Sequence, residues 1–191
     1  MTRPLAARGY QVVCLAAPRT VAGPFPEGVT VCIADLNHQK PAVGTGFDFV
    51  LCGDVIEHLL DPLDFLIWLR ELLKPGGCLI ASLPNSGHLH FRLNVLCGRF
   101  PAHERGLFDR THLHFFTWAG WKQLFTQARL KIDSVRPTSA PIGLALGVRQ
   151  DHIGIQILEN VCYRLAVVWK TLFAYQFVVV TCPGEMNGSG E

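Results

Sequence analysis

The chain has 191 residues, of which 49% are hydrophobic and 17% are charged. This length suits one domain with a real core, and so much apolar material excludes disorder for most of the chain. The net charge of +2 provides no electrostatic footprint for nucleic acid, so we expect no nucleic-acid partner.

The seven cysteines are scattered, and their spacing contains no CxxC motif. An odd number of scattered cysteines favours a reducing compartment, and the first residues contain no apolar signal-peptide core. Lys170 and Gln176 interrupt the most apolar stretch, so we expect no transmembrane segment. The sequence therefore predicts a cytoplasmic protein, and a peripheral membrane contact stays open.

Short apolar runs recur along the chain and predict strands that are buried on both faces of a mostly parallel sheet. These runs are residues 10–15, 29–34, 47–52, 78–83, 130–135 and 177–181.

Helices alternate with these strands. Asp61 and Pro62 begin the clearest one, which the segment 74–77 (KPGG) ends. A second helix begins at Thr117, and a third, amphipathic helix covers residues 153–172. The alternation predicts an α/β three-layer sandwich made of a single domain over residues 1–183, followed by a disordered tail at 184–191.

Polar side chains collect where the predicted strands end, which is where open α/β sheets bind ligands. Asp35 follows the second strand, and Asp54 follows the third. The adjacent Gly53 allows a ligand to approach the backbone closely. The sequence therefore predicts a ligand site at one edge of the sheet.

The segment 47–85, FDFVLCGDVIEHLLDPLDFLIWLRELLKPGGCLIASLPN, resembles the class I S-adenosylmethionine-dependent methyltransferases. The similarity is to the branch of ubiquinone-type O-methyltransferases and bacterial small-molecule and sugar methyltransferases. Further along, FDRTHLHFFT at 108–117 resembles a loop of that branch, and YQFVVV at 175–180 resembles its closing antiparallel strand. Together the resemblance spans residues 9 to 182.

The resemblance implies a Rossmann-like sheet in the order 3-2-1-4-5-7-6, in which strand seven is antiparallel. It also implies methyl transfer from S-adenosylmethionine to an oxygen or nitrogen of a small-molecule or glycan acceptor. His112, and after it His114, are the candidate general bases. The implied cofactor contacts are Asp35 and Leu36 at the adenine, and Cys52, Gly53, Asp54, Val55 and His58 at the methionine part.

Two features of that family are missing from this sequence. It contains no glycine-rich turn of the type acidic-x-Gly-x-Gly-x-Gly, and segment 15–18 (LAAP) lacks the acid that binds the ribose. We therefore expect the first strand of the sheet to be missing. Either the domain is N-terminally incomplete, or it is a degenerate homologue that acts as a non-catalytic partner or scaffold.

Several side chains have both a functional and a structural interpretation. Asp54, Glu57 and His58 could form a divalent-metal site, but we favour the interpretation that Glu57 and His58 brace the strand–helix junction. The pairs His88-x-His90 and His112-x-His114 lack the other ligands of a zinc site. As an alternative to a catalytic role, His112 and His114 could form hydrogen bonds with the backbone. We therefore expect no metal.

For the remaining candidate residues we expect structural roles rather than functional ones. Trp118 and Trp121 are expected in the core, and Asp109 and Arg110 are expected to pair or to cap a turn. The helix at 153–172 packs on the sheet by default, with a lid or membrane-surface element as the alternative.

Overall fold

The computed structural model describes residues 2–18, 25, 27–143, 147, 149 and 152–184. The chain divides into two compact units, Met1–Thr45 and Gly46–Glu191. The single domain expected from the sequence stays a prediction. The predicted disordered tail lies, from residue 185 onward, outside the described residues.

The described residues of the first unit form one short helix and two parallel strands. The elements are α1 (Thr2–Ala6), β1 (Val12–Ala16) and β2 (Val29–Ile33). The two strands run in register from Val12 opposite Val29 to Ala16 opposite Ile33. Both strands predicted in this part of the chain are confirmed to within two residues.

The second unit contains a four-stranded sheet. Its strands are β3 (Phe47–Gly53), β4 (Leu73–Pro84), β5 (Leu130–Pro137) and β6 (Gln176–Pro183), in the order β3-β4-β6-β5. β3 and β4 are parallel, and β6 runs antiparallel to both β4 and β5. This arrangement confirms a Rossmann-like α/β fold in which the last strand is antiparallel and lies between its neighbours. Among the described residues, β3 pairs only with β4.

The helices of the second unit are α2 (Pro62–Leu72), α3 (Leu89–Leu96), α4 (Trp118–Gln127), α5 (Ile153–Val168) and α6 (Lys170–Phe173). The predicted start of α2 is confirmed: the Asp61 carboxylate accepts a hydrogen bond from Asp64 N at 2.9 Å, and Pro62 occupies the first helical position. Thr117 likewise caps α4 through Gly120 N at 3.5 Å.

The core of this unit lies between α2, α4 and the central strands. Alternate side chains of β4 and β6 are buried, as are the inward faces of the two helices. Trp121 has no exposed surface and Trp118 is also buried, which confirms the expectation for both. Fully buried side chains of these helices and strands include Leu66, Leu79, Leu83, Phe125, Phe177 and Val179.

α3 was not predicted, because it lies within the segment 86–116 that reads as one long loop. Its apolar residues are spread around the helix rather than along one stripe, so the sequence pattern does not reveal it, and none of its eight residues is buried. The helix begins where His88 Nδ1 accepts a hydrogen bond from His90 N at 3.1 Å. α2 also ends earlier than expected, at Leu72, and residues 74–77 belong to β4.

The third predicted helix is interrupted at Trp169, and it presents a different face to the protein than expected. Its apolar arc contains Ile157, Val161, Leu165 and Val168, yet these side chains are exposed, Val168 to 86%. Ile155 and Ala166 are the buried residues of α5. On the inward side Glu159 Oε1 accepts a hydrogen bond from Gly143 N at 3.1 Å, which holds that narrower face against the molecule.

Candidate active site

The candidate site begins at the carboxyl end of β3, where Gly53 and Asp54 are exposed. Asp54 has a φ of 50°, in the left-handed region that non-glycine residues rarely adopt. Its Oδ1 accepts hydrogen bonds from Ser82 Oγ at 2.9 Å and from Gln176 Nε2 at 2.8 Å. Residues of β4 and β6 therefore hold the Asp54 carboxylate at the edge of the sheet.

Glu57 follows in a short 3₁₀ helix, Ile56–His58, and its side chain is only 1% exposed. Its Oε2 has no hydrogen-bond partner among the described residues. Burial raises the pKa of Glu57 to about 7, and the nearby charge of Asp54 acts in the same direction. Glu57 is therefore a buried carboxyl group that changes protonation near neutral pH.

His112 faces this carboxyl group. Its Nε2 lies 3.8 Å from Glu57 Oε1, and its side chain is 7% exposed. Burial lowers the pKa of His112, and the charge of His58 lowers it further, while Asp109 and Asp54 oppose the shift. The imidazole is therefore neutral at neutral pH and can accept a proton.

His58 lies beside His112, with ring centroids 4.7 Å apart. Its Nδ1 lies 3.0 Å from the carbonyl oxygen of Thr111 and 3.1 Å from Thr111 Oγ1. Thr111 Oγ1 in turn donates to Asp109 Oδ1 at 2.6 Å. This confirms the turn-capping role of Asp109, whereas Arg110 pairs with Glu104 at 2.9 Å.

His114, the second candidate base, is placed differently. Its Nε2 lies 3.0 Å from the carbonyl oxygen of Leu59, and its ring stacks on Phe116 with centroids 5.4 Å apart. The backbone-bonded role weighed for both histidines is therefore the arrangement found for His114, while His112 keeps its Nε2 toward Glu57.

Glu57, His58 and His112 also form a group that could hold a metal ion. Each offers one ligand atom, and these atoms lie within 4.8 Å of one another. Two imidazoles and one carboxylate suit divalent transition metals. The sequence pointed instead to Asp54 as the third ligand and led us to expect no metal, but the Asp54 side chain is engaged by Ser82 and Gln176.

The other predicted cofactor contacts lie on both units. Cys52 is buried, and burial raises the pKa of its thiol to about 12, so the thiol stays neutral. Val55 is half-buried. In the first unit Asp35 is exposed and its Oδ1 accepts a hydrogen bond from Asn37 N at 3.0 Å, while Leu36 is half-buried.

Sequence reasoning missed the partners of these groups. Ser82 and Gln176 lie 28 and 122 residues from Asp54, so local spacing carries no signal for them. The only hint is that each is a polar residue near the end of an apolar strand. The approach of His112 to Glu57 was equally hidden, because it depends on Leu113 N and His114 N donating to Glu57 O at 2.9 and 3.2 Å.

Comparison with known proteins gives a consistent result. A family model described as "Methyltransferase domain" matches residues 6–135. The ubiquinone biosynthesis O-methyltransferase of Cereibacter sphaeroides is 37% identical over 102 residues, covering 50% of this chain and 41% of that protein. The enzyme of the same name from Xanthomonas campestris pv. campestris is 36% identical over 70 residues, covering 37% of this chain and 28% of that protein. The chain thus covers 41% of the length of the first relative and 28% of the length of the second.

Solved structures share the fold. An S-adenosylmethionine-dependent methyltransferase from Mesorhizobium loti superposes with a TM-score of 0.58 at 14% identity, covering 94% of this chain and 84% of that one. A methyltransferase from Archaeoglobus fulgidus superposes with a TM-score of 0.56 at 15% identity, covering 94% of this chain and 79% of that one.

No helix in the described part of the chain has the length and apolar character needed to cross a membrane. Because the family model covers more than half of its residues, the chain belongs to the methyltransferase-domain family, within the class I S-adenosylmethionine-dependent methyltransferases.

Proposed function

We propose that this protein transfers a methyl group from S-adenosylmethionine to an oxygen of a small molecule, with His112 as the general base. The observation that carries the proposal is the neutral imidazole of His112 facing the buried Glu57 at 3.8 Å, beside the carboxyl end of β3. The relatives named O-methyltransferases support an oxygen acceptor. Nitrogen acceptors and glycans are the wider class that the site chemistry also admits.

The residues at the end of β3 fit the implied cofactor. S-adenosylmethionine, when bound, supplies an electrophilic methyl group on a positively charged sulfur. Asp54 offers an exposed carboxylate whose orientation Ser82 and Gln176 maintain, and this negative charge suits the cationic methionine part. Cys52, Gly53, Val55 and His58 would complete this contact. For Asp35 and Leu36, which belong to the first unit, the adenine contact implied by the resemblance stays a prediction.

The chain's own contribution to the reaction is to place a base next to the acceptor. The His112 imidazole takes the proton of the acceptor hydroxyl, which makes the oxygen a better nucleophile. Phe115 lies 5.9 Å from the His112 ring, within an aromatic cluster that also contains Phe91 and Phe100. These rings provide an apolar wall that orients the acceptor.

The competing proposal is a non-catalytic homologue that acts as a partner or scaffold. The observation in its favour is the sequence itself, which contains no acidic-x-Gly-x-Gly-x-Gly turn. Titration calorimetry of the full chain with S-adenosylhomocysteine separates the two. Binding with one site per chain is expected, and a folded preparation that binds nothing would overturn the enzymatic proposal in favour of the scaffold.

The role of His112 needs its own variants. We expect His112→Gln to retain S-adenosylhomocysteine binding and to lose about 100-fold or more in kcat for transfer of a labelled methyl group to hydroxyl acceptors. His114→Gln is the matched control, since it replaces a backbone-bonded histidine of the same loop. Equal loss in both variants would argue against His112 as the base.

We also propose a cytoplasmic location, in line with the scattered cysteines.

A further inference from the structure

Two cysteines meet on the two central strands of the sheet of the second unit, next to the last pair of the β4–β6 ladder. Leu79 of β4 lies opposite Thr181 of β6 in an antiparallel register, so Cys78 and Cys182 are cross-strand neighbours. Their sulfur atoms are 3.2 Å apart, although the residues are 104 positions apart in the sequence. Both side chains are half-buried, so a small reagent can reach the pair.

A carboxylate adjoins this pair. The pairing of β5 with β6 shifts between Ile132 and Ser134, and such irregularities re-aim a side chain. The residue at the shift, Asp133, accepts a hydrogen bond from Cys182 Sγ to its Oδ2 at 2.8 Å. This hydrogen bond, more than burial, raises the pKa of the Cys182 thiol to about 12. The Cys182 proton therefore lies between a sulfur and a carboxylate.

We propose that Cys78 and Cys182 form a modification site that takes up a small-molecule disulfide such as glutathione disulfide and converts it into an intramolecular disulfide, with Asp133 as the base. Cys78 lies on β4 ahead of Ser82, and Cys182 lies on β6 beyond Gln176, so neither cysteine is among the residues that contact Asp54. The proposal is therefore independent of the methyl-transfer reaction.

The chemistry has two balanced steps. First, the Cys78 thiolate attacks glutathione disulfide, which forms a Cys78–glutathione mixed disulfide and releases one glutathione thiolate. Second, Cys182 Sγ attacks the Cys78 sulfur while its proton moves to Asp133 Oδ2. This forms the Cys78–Cys182 bond and releases a second glutathione, which takes up the proton. The two thiols are oxidised, and one glutathione disulfide is reduced to two glutathiones.

The order of the steps follows from the contacts. The proton of Cys182 is held by Asp133, so Cys182 is the poorer initial nucleophile and acts as the resolving thiol. In a reducing compartment the pair stays reduced until the glutathione pool is oxidised. Once formed, the bond closes a loop of about 100 residues, which restricts the unfolded chain.

The test uses the full chain in glutathione buffers of increasing oxidation, quenched in acid. Free thiols are counted with a maleimide, and disulfide-linked peptides are identified by mass spectrometry. We expect two of the seven thiols to be lost together as a Cys78–Cys182 link, and Tm to rise by about 10 °C. Folded wild-type protein that keeps both thiols, or that links other cysteines instead, would overturn the proposal.

Three variants test the assigned roles. Cys182→Ser should retain one glutathione on Cys78, and Cys78→Ser should form neither the link nor the adduct. Asp133→Asn should accumulate the mixed disulfide, because the second step slows at least about tenfold. Cys97→Ser, at an exposed cysteine, is the matched control and should oxidise like the wild type. An Asp133→Asn variant that resolves at the wild-type rate would contradict the role of Asp133.

Discussion

His112 Nε2 lies 3.8 Å from Glu57 Oε1, and both side chains are almost fully withdrawn from solvent. The two residues come from different parts of the chain, a 3₁₀ turn after β3 and the loop before α4. Backbone hydrogen bonds from Leu113 and His114 to Glu57 O hold the loop on the turn. The contact places a neutral base against a carboxyl group that titrates near neutrality, and this property can be measured directly.

The buried Glu57 should make the protein less stable as pH rises. Burial raises its pKa from 4.5 to about 7, so between these values the folded protein keeps a proton that the unfolded chain has lost. The stabilisation is complete below pH 4.5 and is lost as pH rises through 7, by about 3 kcal/mol. Urea unfolding at pH 5 to 8 should show this slope in the wild type and a weaker slope in Glu57→Gln.

Glu71→Gln is the matched control for that measurement, because the Glu71 side chain is 61% exposed. It should keep the slope of the wild type. If Glu57→Gln and the wild type lost stability equally between pH 5 and 8, the raised pKa of Glu57 would be disproved.

His88 should act in the opposite direction. Its Nδ1 accepts the hydrogen bond that caps α3, and burial lowers its pKa to about 4. The folded protein therefore binds fewer protons than the unfolded chain between pH 6.5 and 4, so stability falls as pH drops, by at most about 3 kcal/mol. His88→Asn keeps a capping acceptor that does not titrate, and its Tm should fall less between pH 7 and pH 5.

The matched control for His88 is His152→Asn. His152 caps α5 in the same way, through Gly154 N at 3.2 Å, but is exposed. This variant should show the same Tm loss on acidification as the wild type. A His88→Asn variant with an unchanged acid response would contradict the prediction.

Gln176 should matter for cofactor binding although it lies at the start of the last strand. Its Nε2 donates to Asp54 Oδ1 at 2.8 Å, and a hydrogen bond to a charged group contributes about 1.5–3 kcal/mol. We expect Gln176→Met to weaken S-adenosylhomocysteine binding about tenfold, measured by calorimetry. Gln123→Met, at an exposed position of α4, should bind like the wild type, and equal affinity in both variants would contradict the role of Gln176.

Zinc should bind at the group formed by Glu57, His58 and His112. The Nδ1 of His58 is already bonded to the Thr111 carbonyl, which is how metal-ligating histidines are usually oriented. We expect one Zn²⁺ to raise Tm in the wild type and in Asp54→Asn, but not in His58→Ala. Because Zn²⁺ would bind the His112 imidazole, which the proposed reaction uses as its base, the same titration should inhibit methyl transfer.

The Asp54→Asn variant decides between the two possible ligand sets. Loss of the Tm shift in that variant, with retention in His112→Gln, would assign the metal to Asp54, Glu57 and His58, as the sequence spacing alone suggested. The result expected from the structure is the reverse.

Local features determined much of the fold from the sequence alone. The start of α2 depends on Asp61 and Pro62, and the cap of α4 depends on Thr117, so neighbouring residues were enough to predict both. The positions of the strands follow from continuous apolar runs. The burial expected on both faces is wrong for β3, where Phe49 and Leu51 are exposed, because an apolar run shows that a strand forms but not what covers it. The order of these elements and the Asp54-x-x-Glu57-His58 turn also carried the family resemblance.

The tertiary structure decided which side chains meet. Sheet register brings Cys78 to Cys182 and Gln176 to Asp54, and the return of a loop brings His112 to Glu57. The periodicity of a helix shows that it has an apolar arc, but the neighbouring elements decide which of its residues are buried. In α5 the buried residues are Ile155 and Ala166, which lie outside the apolar arc. Pairings between distant segments depend on packing and on backbone hydrogen bonds far along the chain, and local sequence spacing carries no record of them.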